Sequence, residues 1–230
     1  MLGPAEMTAI WLSLKVALVA TLCALPFAIW VAYILARKDF PGRQVLNGLV
    51  HLPLVLPPVV TGYLLLVVFG QQGAVGGFLQ DTLGITLAFR WTGAALAAAV
   101  MAFPLMVRAI RLGFEAVDQG LEDAAATLGA SRVRIFRTVT LPLVAPGVLA
   151  AAILGFAKAL GEFGATITFV AAIPGQTQTI PTAIYGLLQV PGSEPAVVAL
   201  VTVSIILAMG ALLVSEWLAR RMARRIGRQP

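Results

Sequence analysis

The chain has 230 residues, of which 60% are hydrophobic and 11% charged, and its mean hydropathy is +0.95. A soluble domain carries about 25% charged residues and could not hide this much apolar surface, so a water-soluble fold is excluded. The net charge of +6 does not point to nucleic acid, because the basic residues fall in short clusters between apolar runs with no basic fold motif around them.

Five apolar runs, near residues 14–36, 46–70, 92–110, 144–170 and 196–217, are each long enough to cross the roughly 30 Å hydrocarbon core as a helix. The alternating short segments of a barrel are absent. The fold class is therefore an all-α polytopic membrane protein, read as a single domain over residues 1–230. The first run reads as a retained helix rather than a signal peptide, since no basic residue precedes Lys15 and the run is too long. A short sixth helix falls at residues 4–12 or 178–190, and neither is counted as a span.

Cys23 is the only cysteine, which excludes an internal disulfide and a cysteine-based metal cluster; its apolar surroundings predict a buried thiol. His51, beside Pro53, reads as a packed or interfacial residue. No cluster of oxygen, nitrogen or sulfur ligands marks a metal site.

Orientation follows from the basic residues. Arg37, Lys38 and Arg43 follow the first run; Arg108, Arg111, Arg132, Arg134 and Arg137 flank or occupy the segment between the third and fourth; Arg220, Arg221, Arg224, Arg225 and Arg228 end the chain. These are 13 of the 16 Lys and Arg residues, all on one face, with Lys15, Arg90 and Lys158 the exceptions. The positive-inside rule makes that face cytoplasmic, with the N-terminus outside and the C-terminus inside.

Prolines recur inside the runs at Pro26, Pro53, Pro57, Pro58, Pro104 and Pro146. Each removes a backbone donor and bends its helix, which suits either a pathway lined by bent helices or ordinary packing kinks. Gly93, Ala94, Ala97 and Ala98 would let another backbone approach the third span closely. Lys158 and Glu162 lie four residues apart on one face of the fourth run, where an unpaired charge would cost at least about 2.5–3.5 kcal/mol. They read either as a self-neutralising packing pair or as charges along a translocation pathway, and glycines 161 and 164 around Glu162 allow a close crossing or a local break.

Residues 118–142 interrupt the lipid-compatible pattern. Asp118 caps a first short helix, Glu122 and Asp123 lie near its positive end, and Leu121, Ala124, Ala125 and Leu128 recur on one face. Gly129 supplies a left-handed helix end, Ser131 caps a second helix bearing Arg132, Arg134 and Arg137, and Pro142 marks the start of the fourth span. Such a pair can dock into a cleft of another protein or lie on anionic lipid.

The order Asp123, Ala124, Ala125, Gly129, Val139, Leu141, Pro142 resembles the "EAA" coupling motif of permease subunits of binding-protein-dependent ABC importers, with Asp where that family usually has Glu. The resemblance extends over essentially the whole chain. The stretches from His51 to Val60, Phe103 to Arg111, Leu160 to Phe169 and Ile173 to Pro181 are similar to the molybdate-transport permeases, and sulfate-type relatives share them in part.

The resemblance implies a type I ABC importer permease with about five helices. It also implies a homodimer seated on a pair of cytoplasmic ATPases, and an extracytoplasmic binding protein that delivers an oxyanion. Leu121, Glu122, Asp123, Ala124, Ala125, Leu128, Gly129, Arg132, Leu141 and Pro142 would couple to the ATPase; Pro57, Pro58, Lys158 and Glu162 would lie along the pathway. No Walker A sequence is present, because no lysine follows a glycine, so ATP and Mg would be used by the partner ATPase and this subunit would need no cofactor. Membrane lipid is the other expected partner, and nucleic acid is not one. The rival readings are a permease for sulfate or another oxyanion, a secondary carrier, which would generally need an inverted repeat, and a membrane anchor.

Overall fold

The computed structural model describes residues 3–226, with the side chains of residues 215, 216 and 219–226 outside the description. Arg228 and the side chains of Arg220, Arg221, Arg224 and Arg225 therefore lie outside the described residues. In chain order the helices are α1 (Pro4–Arg37), α2 (Arg43–Val55), α3 (Pro58–Phe69), α4 (Ala74–Leu83), α5 (Trp91–Glu115) and α6 (Gln119–Thr127). Then come α7 (Arg132–Ile135), a π-helical turn (Phe136–Thr140), α8 (Leu141–Leu160), α9 (Gly164–Val170), α10 (Ile180–Leu187) and α11 (Glu194–Ile226). No strand occurs among the described residues.

Four stretches are long and apolar enough to span a membrane, at Pro4–Arg37, Trp91–Glu115, Arg132–Leu160 and Glu194–Val214. The pair α2 and α3 gives a fifth crossing only if counted together, because the chain bends by 113° between its two halves. Neither short segment adds a sixth span. Residues 4–12 are the start of α1, where Pro4 occupies a first-turn position that needs no amide donor, and 178–190 contains only the eight-residue α10.

The packing uses small side chains. Ala17, Ala20, Ala24, Ala28 and Ala32 of α1 and Ala94, Ala97, Ala98 and Ala102 of α5 are all buried in two stacked apolar clusters. In lipid the hydrophobic effect does not drive helices together, so close backbone approach and dispersion contacts have to do so. The same device joins α5 to α8, where a side chain on Gly147 would come within 3.3 Å of the Gly113 Cα. By contrast Ile205, Ile206, Leu212 and Leu213 of α11 are each more than half exposed.

Two departures from the linear reading, and one break that it allowed, have local causes. The fourth run begins far earlier than residue 144, since α7 passes through the π turn into α8 without a break. Pro142 cannot donate a backbone hydrogen bond, and the wider turn, closed by the Leu141 amide on the Phe136 carbonyl, absorbs that defect. The same run stops at Leu160 and restarts at Gly164, so the local break that glycines 161 and 164 allowed as one of two alternatives is present. Cys23 is exposed rather than buried, on a face of α1 beside Leu46, Leu49 and Phe103, because in a membrane helix an apolar neighbourhood does not distinguish interior from lipid-facing positions.

Candidate functional site

The paired short helices form one end of the bundle. Asp118 caps α6 by accepting the Gly120 amide at 2.8 Å, and Ser131 caps α7 by accepting the Arg134 amide. Gly129 ends α6 with φ +80°, while the Ala130 amide reaches back to the Ala125 carbonyl at 3.2 Å, satisfying a carbonyl left open at the helix end. None of the residues of α6 is buried. A nine-residue helix with no buried face has little stability of its own, so its position depends on contacts from its neighbours.

Glu122 supplies them. Its Oε1 accepts the Thr140 hydroxyl at 2.6 Å and faces the Arg37 Nη2 at 3.4 Å, and the same Nη2 donates to the Val117 carbonyl. Thr140 is buried in the π turn, and the Arg37 and Glu122 side chains are 8% and 24% exposed, so the clasp is largely but not wholly shielded from water. Beside it Tyr33, Phe114 and Phe136 make an aromatic trio, with edge-on centroid distances of 5.5 and 5.6 Å from Tyr33. The paired helices are thereby fastened to α1, α5 and α8 together. Arg43 caps the end of α1 by donating to the Leu35 carbonyl, and Arg111 reaches Asn47 to link α5 with α2.

Outward from this anchor, Leu121 and Val133 are more than half accessible or at that limit, and Leu128 is 88% exposed. Asp123, Ala124, Gly129 and Arg132 share that exposed surface, whereas Ala125 and Leu141 are half-buried and Pro142 is exposed at the first turn of α8. Ser131, Val133, Arg134, Arg137 and Thr138 line a shallow hollow of about 470 Å³ beside it. The sequence reading grouped Glu122 with the docking residues. The structure turns it inward onto Thr140 and Arg37, and no sequence signal marked this, because Asp39 stands nearer to Arg37 along the chain and only the fold assigns Asp39 to Arg43 instead.

A second site forms where two broken helices meet. Gly164, at the start of α9, lies so close to Pro58 that an added Cβ would sit 2.7 Å from the proline Cβ. One turn further, Gly62 of α3 presses on Ala165, where an added Cβ would be 2.6 Å from its carbonyl oxygen. The Pro57–Pro58 bend and the Glu162 break are thus brought into contact. Glu162 is 3% exposed, pairs through Oε2 with Lys158 Nζ at 2.5 Å, and accepts the Ala165 amide through Oε1 at 3.1 Å. One carboxylate therefore neutralises the lysine and caps α9. Phe163 packs on Tyr185 of α10 at 5.1 Å, which ties the break to the following loop.

Residues 24–227 match the family described as the binding-protein-dependent transport system inner membrane component. The chain belongs to that family. It is 59% identical over 223 residues to the molybdenum transport system permease protein ModB of Escherichia coli K12, covering 97% of each chain. Against the protein of the same name from Haemophilus influenzae it is 56% identical over 222 residues, 96% of this chain and 97% of that one. Its fold matches a solved structure of the MetNI methionine ABC transporter with a TM-score of 0.75 at 16% identity, over 96% of this chain and 99% of that chain. The family member is thus a multi-pass inner-membrane transport subunit with a type I importer permease fold.

Proposed function

We propose that the chain is the permease subunit of an ATP-driven importer that carries molybdate across the inner membrane by alternating access, working as a homodimer on two ATPase subunits. The observation that carries this reading is identity above half, along nearly the full length, to molybdenum transport permeases. The paired helices are the cytoplasmic coupling element, which sets the N-terminus outside and the C-terminus inside. ATP and Mg act in the ATPase, and an extracytoplasmic binding protein delivers the anion. This subunit holds no cofactor of its own.

The mechanical route follows the contacts. Closure of the ATPases displaces α6 and α7 through Leu121, Leu128 and the surface around Asp123 and Gly129. The Glu122 clasp and the aromatic trio pass that displacement to α1, α5 and α8. Rotation of α8 carries the Glu162 break, which abuts Pro58, so the two bent helices shift together.

The test is uptake of labelled molybdate in cells lacking this chain, with and without its return, and with tungstate and sulfate as competitors. Molybdate uptake restored by the chain and resistant to excess sulfate is the expected result. Uptake lost to sulfate competition would reassign the substrate to a related oxyanion. Failure of an ATPase subunit to copurify would leave the paired helices as a lipid-surface hairpin.

A further inference from the structure

Two of the three cations that break the orientation rule, Lys15 and Arg90, meet at the end of the bundle away from the coupling helices. Lys15 lies 22 residues before Arg37 on α1, which is about 33 Å of helix and matches the thickness of the hydrocarbon core. There Lys15 Nζ stands 3.6 Å from the centroid of the Trp91 ring, and Lys15, Arg90, Thr8, Thr92 and Gln176 line an open hollow of about 760 Å³. No acidic side chain lines it, and among the described residues neither cation forms a salt bridge.

The rim of this hollow is held in place rather than loose. The buried Thr177 hydroxyl accepts the Ile173 amide at 2.9 Å and donates toward the Ala171 carbonyl, fixing the turn that presents Gln176. The Ile180 amide donates to Ser13 Oγ at 2.7 Å, pinning the same segment to α1 two residues from Lys15. On the other side Phe89 adopts φ +57°, a left-handed backbone that a bulky residue rarely takes, immediately before Arg90. Strain of this kind persists where the surroundings over-determine it and clusters at ligand sites.

We infer that this hollow is an anion-collecting vestibule, in which Lys15 and Arg90 attract a tetrahedral oxyanion dianion and the Thr92 and Gln176 side chains offer it hydrogen-bond donors, the Thr8 hydroxyl being spent on the Pro4 carbonyl. Trp91 holds the lysine ammonium over its face and leaves the amine's remaining donors to the hollow. Unpaired cations in a walled recess raise the local concentration of an anion, which would keep released substrate at the mouth of the permease instead of returning it to bulk solution. The choice of molybdate as the anion collected rests on the importer reading above; the collection of oxyanions as a class does not.

The experiment is equilibrium binding of radiolabelled molybdate to the purified permease–ATPase complex in nanodiscs without the binding protein, with sulfate as competitor, alongside uptake by the complete importer in proteoliposomes. Arg90→Gln, on an exposed side chain, and Lys15→Gln should each weaken binding, and together by about tenfold or more. Lys15→Arg should restore it, since it keeps the cation over Trp91. The loss should shrink as ionic strength rises. Absence of molybdate binding to the wild-type complex, or binding unchanged in the double variant, would overturn the vestibule. So would unchanged anion binding accompanied by weaker association of the delivering protein, which would make the two cations a protein-docking patch. Wild-type complex that binds the anion but never transports it would sink the importer reading while leaving the vestibule standing.

Discussion

Glu122 accepts the hydroxyl of Thr140 across 18 residues of sequence, at 2.6 Å, so α6 is bonded to the turn that leads into α8. Thr140→Val keeps the shape and removes the donor. A single such bond contributes about 0.5–1.5 kcal/mol, and more when one partner is charged. The variant should therefore melt slightly earlier, remain bound to the ATPase, and transport less per ATP hydrolysed. The ratio of uptake to hydrolysis in proteoliposomes checks this, and an unchanged ratio would mean the clasp only stabilises the fold.

Arg37 completes the clasp from α1, and its side chain is nearly buried. Replacing Glu122 by Ala strands that guanidinium on one carbonyl, whereas replacing both Glu122 and Arg37 by apolar residues removes the mismatch. A double-mutant cycle on thermal unfolding should give a coupling of about 0.5–3 kcal/mol. Strictly additive losses would show that the 3.4 Å ion pair contributes nothing.

At Gly129 space and backbone conformation make opposite demands. A side chain there meets nothing within 4 Å, yet φ is +80°. Asn tolerates that backbone at little cost, while Val does not. Gly129→Val should destabilise the turn by about 1–2 kcal/mol. Gly129→Asn should leave the isolated permease stable, and a loss of ATPase binding in that variant would report a partner packed against the turn. If Gly129→Asn copurifies with the ATPase and transports normally, the turn lies outside the docking surface.

The apolar runs were legible because span length is set directly by bilayer thickness, and the capping residues Asp118, Ser131 and Gly129 were legible because their chemistry acts within a few residues. What sequence order hides is whatever depends on distant partners. The inward turn of Glu122 is decided by Arg37, 85 residues away. The prolines at 57 and 58 announced a bend, but whether it was a kink or the 113° reversal depended on α9 lying against α3 through Gly62 and Gly164. Cys23 was misjudged since solvent and lipid make opposite use of an apolar face.

That α3–α9 contact leaves no room for a methyl group. An alanine at residue 62 would put its Cβ 2.6 Å from a backbone oxygen, and backbone cannot rotate aside as a side chain can. Overpacking of this kind costs about 1–3 kcal/mol. Gly62→Ala should lower the melting temperature of the permease and reduce uptake, with Gly164→Ala, which meets Pro58, behaving alike. Normal stability in both would mean the two broken helices sit farther apart than their geometry requires.

The Lys158–Glu162 pair yields an asymmetric expectation, because its members are unequally shielded: the side chains are 30% and 2% exposed. Removing the lysine leaves a buried carboxylate with only the Ala165 amide to hold it, and an uncompensated buried charge costs about 3–5 kcal/mol. Removing the charge from Glu162 instead leaves a partly exposed ammonium that water or headgroups can solvate, while the amide oxygen of Gln still caps α9. Lys158→Met should therefore destabilise the permease more than Glu162→Gln. If the pair only fixes packing, Glu162→Gln will transport in proportion to the protein that folds. If the carboxylate takes part in gating, uptake will fall well below that proportion with the ATPase complex intact. Uptake per folded complex, compared between the two variants and wild type, separates the roles, and the reverse order of stabilities would contradict the burial on which the expectation stands.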